Sequence, residues 1–255
     1  MAQTGATRIQ LCGRYIVRPD GQRVEGALPG VNGRLLFAYL VLNGLRRIDR
    51  DELLAAVYGE DAPPGHYPRL NVLLSKLRSA VGADLLPGRS EIEVALAPGA
   101  FVDVEAAVEG VHRAESHIAA GEWAESWGPS GVAYYVASRP LLQGHDRPWL
   151  AEWRQRLDDI RVRGLECFAA ASLGLGGPTL PRAEECGRRL IALAPYHETG
   201  YRILMEALER RSNNAEALLV YDRLRVLLRD QLGTAPGPAV QGVYRRLLDP
   251  TATTR

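Results

Sequence analysis

The chain has 255 residues, which is long enough for two ordinary domains that each bury a core. Its 31 basic and 30 acidic side chains give a formal net charge of +1, which excludes a chain-wide positive field that would hold nucleic acid or an anionic membrane. A site for a polyanion must therefore be a local cluster of cations. The three cysteines lack the spacing of a zinc site or a disulfide framework, so we expect free thiols.

The N-terminal residues do not resemble a secretion signal, because no basic stretch precedes an apolar run. The longest aliphatic and aromatic run, at 35–42, is far shorter than the roughly 20 apolar residues that a membrane-spanning helix needs. We therefore expect a cytoplasmic protein that has no membrane partner.

The first part of the chain predicts a small sheet followed by helices. Apolar residues alternate over 9–17, and the turn sequence Pro-Asp-Gly follows at 19–21, so we expect a small antiparallel sheet. Residues 34–42 have the apolar density of a buried helix. The next helix begins near Asp49, which we expect to be the N-cap residue, with Glu52 as its capping-box partner.

A third helix and a hairpin complete this part of the chain. Residues 60–68 are rich in proline and glycine and predict a loop, after which an amphipathic helix runs over 69–82. Beyond the turn sequence Pro-Gly-Arg-Ser at 87–90, apolar and polar residues alternate up to position 96, which predicts a hairpin. The order of sheet, three helices and hairpin is that of an α+β winged helix-turn-helix domain.

From residue 104 onward the periodic segments are all helical. They are 104–120, 122–138, 148–173, 181–194, 197–211, 214–231 and 238–248. The Ala-Glu pairs that begin at 183 and 215 have an offset near the roughly 34-residue period of tetratricopeptide (TPR) repeats. We therefore expect three regions: a winged helix-turn-helix domain at 1–102, an all-α TPR-like helical-repeat domain at 103–250 and a tail at 251–255.

The third helix has two contrasting faces on a helical wheel. One arc is apolar and is expected to pack on the first two helices: Leu70, Leu73, Leu74, Leu77 and Val81. The opposite arc contains no acidic residue: Asn71, Val72, Ser75, Lys76 and Ser79. Arg69 and Arg78 flank it. Short hydrogen-bonding side chains bounded by cations are what a helix in the DNA major groove needs. In an isolated helix such a face is more often simply solvated, but the order of helices and hairpin around this one favours DNA binding.

Several stretches resemble a known family. The segments GRLLFAYLVLNGLRRIDRDELLAAVYGEDAPP and LNVLLSKLRSAVG are similar to the OmpR-type winged helix of the Streptomyces antibiotic regulatory protein (SARP) family. The motifs LMEAL, AEALLVYDRLR and LGTAPGPAV, within 196–248, resemble the bacterial transcriptional activation domain (BTAD) that accompanies it. The resemblance implies that the N-terminal domain binds DNA and that the helical domain serves oligomerisation, polymerase contact or regulation.

The candidate DNA-binding residues come from the helix and from this resemblance. The resemblance implies contacts to bases or phosphates at Asn71, Leu73, Ser75, Lys76 and Arg78. Arg69 joins them from its flanking position on the wheel. Arg89, in the turn of the hairpin, is placed to enter a minor groove, and Arg47, before the second helix, to hold a phosphate. For Arg89 and Arg47 an ordinary solvated role is equally open. No catalytic residue, metal ligand or cofactor is expected.

These patterns, together with what the resemblance implies, predict a sequence-specific DNA-binding transcriptional regulator, an activator that binds repeated half-sites. Its expected partners are double-stranded DNA and RNA polymerase; a homodimer and a small-molecule effector also fit this interpretation. An enzyme is not supported, because the chain has no phosphate-binding loop, nucleophile elbow or zinc-binding HExxH motif. The alternative is a helical-repeat module that binds protein or ligand and binds DNA weakly. Its groove would be lined by the aromatic residues between 123 and 153, which otherwise pack in the core.

Overall fold

The computed structural model describes residues 6–44, 46–59 and 66–249. This part of the chain is mostly helical with a few short strands. The predicted tail and most of the predicted loop at 60–68 lie outside it. The chain divides into two compact units, drawn from Met1–Ala106 with Arg139–Arg156 and from Ala107–Ser138 with Leu157–Arg255. Among the described helices, none is both long and apolar enough to cross a membrane.

The first unit opens with the predicted sheet. Strand β1 (Arg8–Gln10) pairs with β2 (Ile16–Arg18) in antiparallel register, which confirms the expected antiparallel pairing. A later strand, β5 (Phe101–Val102), adds to the other edge of β1 in parallel. A second small sheet joins β3 (Ile48–Asp49) to β4 (Glu91–Ile92). The chain therefore returns twice to elements formed much earlier in the sequence.

Three helices lie between these strands: α1 (Gly30–Leu42), α2 (Arg50–Tyr58) and α3 (His66–Val81). The helices pack on one another, and apolar side chains of the helices and of both sheets are buried. The largest fully buried members are Ile9, Leu11, Leu36, Phe37, Leu40, Ile48, Leu53, Leu70, Leu74, Leu77, Leu86 and Ile92. Each large apolar side chain buried in this way stabilises the fold by about 1.5–3 kcal/mol.

Helix α2 is closed at both ends by side chains. Asp49 is its N-cap, as predicted, and its carboxylate accepts a hydrogen bond of 2.8 Å from the backbone N–H of Glu52. At the other end, Arg147 donates to the carbonyl oxygen of Val57 at 2.9 Å, and the indole of Trp149 donates to that of Ala56 at 3.0 Å. Residues from the later part of the first unit thus satisfy the last carbonyl groups of α2.

Asp103 joins the segment after β1 to the start of the helical part of the chain. Its buried carboxylate accepts hydrogen bonds of 2.9 Å from the backbone N–H groups of Leu11, Cys12 and Val104. The same loop region contributes a backbone hydrogen bond of 2.8 Å from Gly13 to the carbonyl of Pro140. One side chain therefore satisfies three backbone donors that would otherwise be buried without an acceptor.

The chain from Asp103 onward is helical, and the seven predicted helices are confirmed to within two residues at each end. They are α4 (Asp103–Ala120), α5 (Trp123–Ala137), α6 (Pro148–Leu175), α7 (Leu180–Leu193), α8 (Glu198–Arg210), α9 (Asn214–Leu232) and α10 (Pro238–Leu248).

Helices α7 and α8 of the second unit approach each other closely through glycine. A Cβ atom placed on Gly187 would lie 2.9 Å from the Cβ of Leu204, and one on Gly200 would lie 2.9 Å from the Cβ of Leu190. Helices α9 and α10 join α8 through a further apolar cluster, in which the rings of Tyr221 and Tyr244 stack at 4.0 Å. The helices α7 to α10 therefore pack on one another through close backbone contacts and a shared apolar cluster.

A buried carboxylate links the same helices by charge. Glu184 of α7 is only 9% exposed and accepts hydrogen bonds from Arg188 and Arg211, and Arg188 also pairs with Glu216 of α9 at 2.7 Å. Burial alone would raise the pKa of Glu184, but the two arginines hold that pKa below its ordinary value. Because its pKa is lowered, the carboxylate is ionised at neutral pH. Removing either partner of such a buried ion pair would leave an uncompensated charge and destabilise the fold.

We expect Asp103→Ala to lower the free energy of unfolding by about 3 kcal/mol or more, because it leaves buried N–H groups without an acceptor. Asp103→Asn, which keeps one oxygen, should cost less. Urea unfolding gives the energies, and hydrogen exchange should show faster exchange at the amides of Leu11 and Cys12. Equal stability of Asp103→Ala and of the exposed control Glu109→Ala would contradict this role.

A second prediction concerns pH. Because the folded-state pKa of Glu184 is lowered from 4.5, its stabilising contribution is present above pH 4.5 and is lost as the pH falls through the lower folded value. Glu184→Gln should therefore unfold at a lower temperature than wild type at pH 7, and this difference should shrink below pH 4.5. Melting curves across this range measure it. A difference that stays constant with pH would contradict the assignment.

Candidate nucleic-acid interface

Helix α3 presents the two faces that its sequence predicts. The five residues of the apolar arc are all buried: Leu70, Leu73, Leu74, Leu77 and Val81. The five residues of the opposite arc are all exposed: Asn71, Val72, Ser75, Lys76 and Ser79. Arg69 is exposed beside them. These six exposed residues form what we call the α3 face, and burial of the opposite arc fixes its direction.

A groove of 780 Å³ runs between the α3 face and the start of α1. Its charged lining residues are Arg69 and Lys76, and no carboxylate lines it. Val31 and Val72, each 55% exposed, contribute apolar surface. Within the described part of the chain neither Arg69 nor Lys76 has an ion-pair partner, so both cations remain available to an anion.

Two of the residues implied by the resemblance have structural roles here. Leu73 is only 9% exposed and packs in the core, so it offers little surface to a ligand. Arg78 is half-buried, and its guanidinium donates to the carbonyl oxygens of Leu86 at 2.9 Å and Gly88 at 2.6 Å. Arg78 therefore fastens the segment after α3 to the helix, which leaves fewer of its N–H groups for DNA.

The predicted hairpin is present, although only its second segment contributes a strand. The N–H of Ala95 donates to the carbonyl of Leu85 at 2.9 Å, and that of Glu93 to the carbonyl of Pro87 at 3.4 Å. The turn contains Gly88, whose φ is +99°. A Cβ atom there would lie 1.9 Å from the carbonyl oxygen of Glu91, so the turn requires glycine.

The cations before α2 and at the hairpin differ in how they are paired. Arg89 lies exposed in the hairpin turn. Arg47 is exposed but pairs with Glu93 of the hairpin at 3.1 Å, so this arginine must exchange a carboxylate for any phosphate. Its neighbour Arg46 donates to Glu52, and this bond lowers the pKa of that carboxyl group.

Glu52 does not act as the capping-box partner that its position predicted. Its carboxylate accepts from Arg46 and from the hydroxyl of Tyr39. Burial, together with this bond to Glu52, raises the pKa of Tyr39 to about 12. The Glu52 carboxylate therefore bonds to two residues that lie earlier in the chain, and the local capping-box spacing does not predict these bonds.

Sequence reasoning missed Arg50. This residue is half-buried at the start of α2, where its guanidinium donates to the side-chain oxygen of Asn71 and, at 2.7 Å, to the backbone carbonyl of Arg89. It thereby connects the α3 face to the hairpin turn. In the sequence it is one of three arginines between 46 and 50, and nothing in that stretch distinguishes it.

The structure therefore sorts the eight candidates into three groups. Those that line the groove are Arg69, Leu73, Ser75 and Lys76. Those that line a second recess, of 440 Å³ on the other side of α3, are Asn71, Ser75 and Arg78, together with Arg50. Arg47 and Arg89 line neither. The exposed side chains carry hydrogen-bond donors and positive charge, which suits phosphate oxygens and the acceptor atoms of base edges.

The aromatic residues between 123 and 153 do not form one lining. Trp149 lies in the first unit, where its ring meets that of Tyr39 edge-on at 5.1 Å. In the second unit, the rings of Trp127 and Phe168 lie 4.5 Å apart in the core. In the described ranges, no three His, Cys, Asp or Glu side chains are grouped so as to hold a metal ion.

Comparison with known proteins gives the class of this chain. A model of the bacterial transcriptional activator domain family matches residues 102–248, more than half of the sequence. The chain belongs to this family, and the resemblance to the SARP regulators is confirmed.

Named relatives lie in the same group. The regulatory protein AfsR of Streptomyces coelicolor is 29% identical over 248 residues, and the transcriptional regulatory protein EmbR of Mycobacterium tuberculosis is 29% identical over 244 residues. These matches cover 96% and 90% of this chain but only 24% of AfsR and 60% of EmbR. The chain thus corresponds to part of each relative.

A solved structure shares the fold. The structure of Mycobacterium tuberculosis EmbR in complex with a low-affinity phosphopeptide superimposes with a TM-score of 0.80 at 22% identity. The match covers 95% of this chain and 64% of the EmbR chain. The arrangement of short strands and helices described above is therefore an EmbR-like fold.

We expect Gly88→Ala to lower the free energy of unfolding by about 2–3 kcal/mol, because the added methyl group meets a carbonyl oxygen and the backbone is strained. Gly99→Ala is a matched control: its φ is +84°, but a Cβ atom there meets nothing within 4 Å. Urea unfolding of both variants isolates the contact from the strain. Equal losses of unfolding free energy in the two variants would show that the turn relaxes to remove the contact with the carbonyl oxygen, which contradicts this prediction.

Proposed function

We propose that this chain is a sequence-specific DNA-binding transcriptional regulator that activates transcription. The observation that carries the proposal is the α3 face, which is exposed, holds two cations and contains no carboxylate. It is supported by the family to which the chain belongs and by the printed descriptions of AfsR and EmbR as regulatory proteins.

In this proposal the region 1–102 is an OmpR-type winged helix-turn-helix domain. Helix α3 is the recognition helix and enters a major groove, which is wide enough to admit an α-helix. Asn71 and Ser75 face base edges, and Arg69 and Lys76 hold phosphates on the groove side. The hairpin is the wing, and Arg89 in its turn reaches the adjacent minor groove, whose negative potential favours arginine.

The region 103–250 then serves as the activation domain, with repeats of TPR type. Two protomers on repeated half-sites would present a composite surface to RNA polymerase. Repeated half-sites are expected on energetic grounds, because the few free cations on one protomer supply only part of the affinity that a specific complex needs. The second protomer adds binding energy without a stronger charge on either chain.

The test is selection of genomic fragments by the purified protein, with the variant Arg69→Ala/Lys76→Ala for comparison. Wild type should enrich fragments that carry a repeated motif, and the variant should bind that motif more weakly. The slope of the logarithm of affinity against the logarithm of salt concentration should fall by about 1.8 for each protomer bound, because each lost phosphate contact removes about 0.9.

The matched control is Arg223→Ala, which removes an exposed cation from α9 and leaves the α3 face intact. It should keep both the affinity and the salt slope of wild type. If wild type enriches no motif, or if the double variant binds the motif as wild type does, the α3 face does not read DNA. A helical-repeat module that binds protein would then be the better account.

A further inference from the structure

Arg50 is held between two elements that the proposed DNA complex uses. Its Nε donates to the backbone carbonyl of Arg89 at 2.7 Å, in the hairpin turn. Its Nη1 donates to Oδ1 of Asn71, on the α3 face. A planar guanidinium anchored at two points has a fixed direction, so the Arg50–Asn71 pair is set before any ligand arrives.

The direction of the Asn71 amide follows from this contact. Amide oxygen and nitrogen atoms resemble each other in shape, so their assignment rests on the hydrogen-bond partner. A guanidinium has five donors and no acceptor, so the amide atom that faces Arg50 must be the oxygen. The outward atom of Asn71 is therefore the NH₂ group, which has two donors and no acceptor.

The surroundings keep this pair open to a ligand. Both residues line the recess, with Ser75, Arg78 and Ser79 among the other polar residues there. No carboxylate lines this recess, and Arg78 is occupied by the carbonyls of Leu86 and Gly88. The Arg50–Asn71 pair thus offers donors in a recess that has no carboxylate in its lining.

Adenine and guanine present different patterns of hydrogen-bond donors and acceptors to Arg50 and Asn71 in the major groove. Adenine presents an acceptor, N7, beside a donor, the N6 amino group, and an unencumbered asparagine reads both by donating and accepting. Guanine presents two neighbouring acceptors, N7 and O6. The Asn71 oxygen is turned toward Arg50, which occupies one of its two lone pairs, so the amide presents its NH₂ group to a base edge, and this suits guanine better than adenine.

The geometry points to Arg50 as a specificity-determining residue: by holding the oxygen of Asn71, it makes the pair recognise guanine in preference to adenine at one position of each half-site. This inference rests on the proposed function. Arg50 acts by positioning Asn71 and by completing a surface of donors that matches the two acceptors of guanine.

The experiment determines base preference by selection from randomised duplexes, with wild type, Arg50→Met and Arg50→Lys. Wild type should prefer guanine over adenine at one position by about ten-fold, within the range of a good base contact. Arg50→Met frees the amide oxygen, so the preference at that position should move toward adenine. Arg50→Lys retains a donor for Asn71 and should keep guanine.

Asn71→Ala should remove discrimination at the same position and leave the rest of the motif unchanged. Arg47→Met removes a neighbouring cation and serves as the charge control: it should weaken binding to all sequences alike. The variants are compared only after their melting temperatures match that of wild type, and Arg50→Leu, which also has no donor for Asn71, replaces Arg50→Met if the latter unfolds.

The outcomes separate this inference from the proposed function. If wild type selects a motif and the loss of the Arg50 side chain weakens binding without changing any base preference, Arg50 holds the hairpin or a phosphate and the inference is wrong. If wild type selects adenine at the position that depends on Asn71, the inference is also wrong, yet the regulator proposal stands. If wild type selects no motif, both fail.

Discussion

Burial of the apolar arc of α3 is the constraint on which the candidate site depends. Side chains such as Leu70, Leu74 and Leu77 are fully buried, and each contributes about 1.5–3 kcal/mol. Exposed ion pairs near the site, such as that between Arg47 and Glu93, contribute about 0–1 kcal/mol. Packing therefore fixes the rotation of α3, and the polar contacts act on a face whose direction is already set.

Charge at the site is local because most arginines are engaged elsewhere. Arg46 and Arg78 are bonded to protein groups, whereas Arg69, Lys76 and Arg89 have no ion-pair partner among the described residues. Three phosphate contacts give a salt slope of about 2.7, which corresponds to a loss of about forty-fold in affinity between 50 and 200 mM salt. A protomer with only three phosphate contacts would need base contacts and a second bound protomer to reach the affinity of a specific DNA complex.

Helix positions and helix faces can be predicted from the periodicity of the sequence, but contacts between residues far apart in the sequence cannot. Helix positions and the two faces of α3 follow from spacing within a few residues, and so does the N-cap at Asp49. The bonds of Arg50 to Asn71 and of Arg147 to Val57 join residues 21 and 90 positions apart. All but one of the basic residues are arginine, so spacing cannot tell which arginine reaches which partner.

The match to the activator family begins at residue 102, but the physical boundary does not follow it. Residues 139–156 lie inside that match and yet cluster with the first unit, where Arg147 and Trp149 bond to the carbonyls that end α2. Helix α2 carries Arg50 at its first position, and with nine residues it is too short to be stable alone. The candidate DNA-reading surface therefore depends on a segment of the activator region, so a fragment cut at residue 102 would lose part of what holds its own site in place.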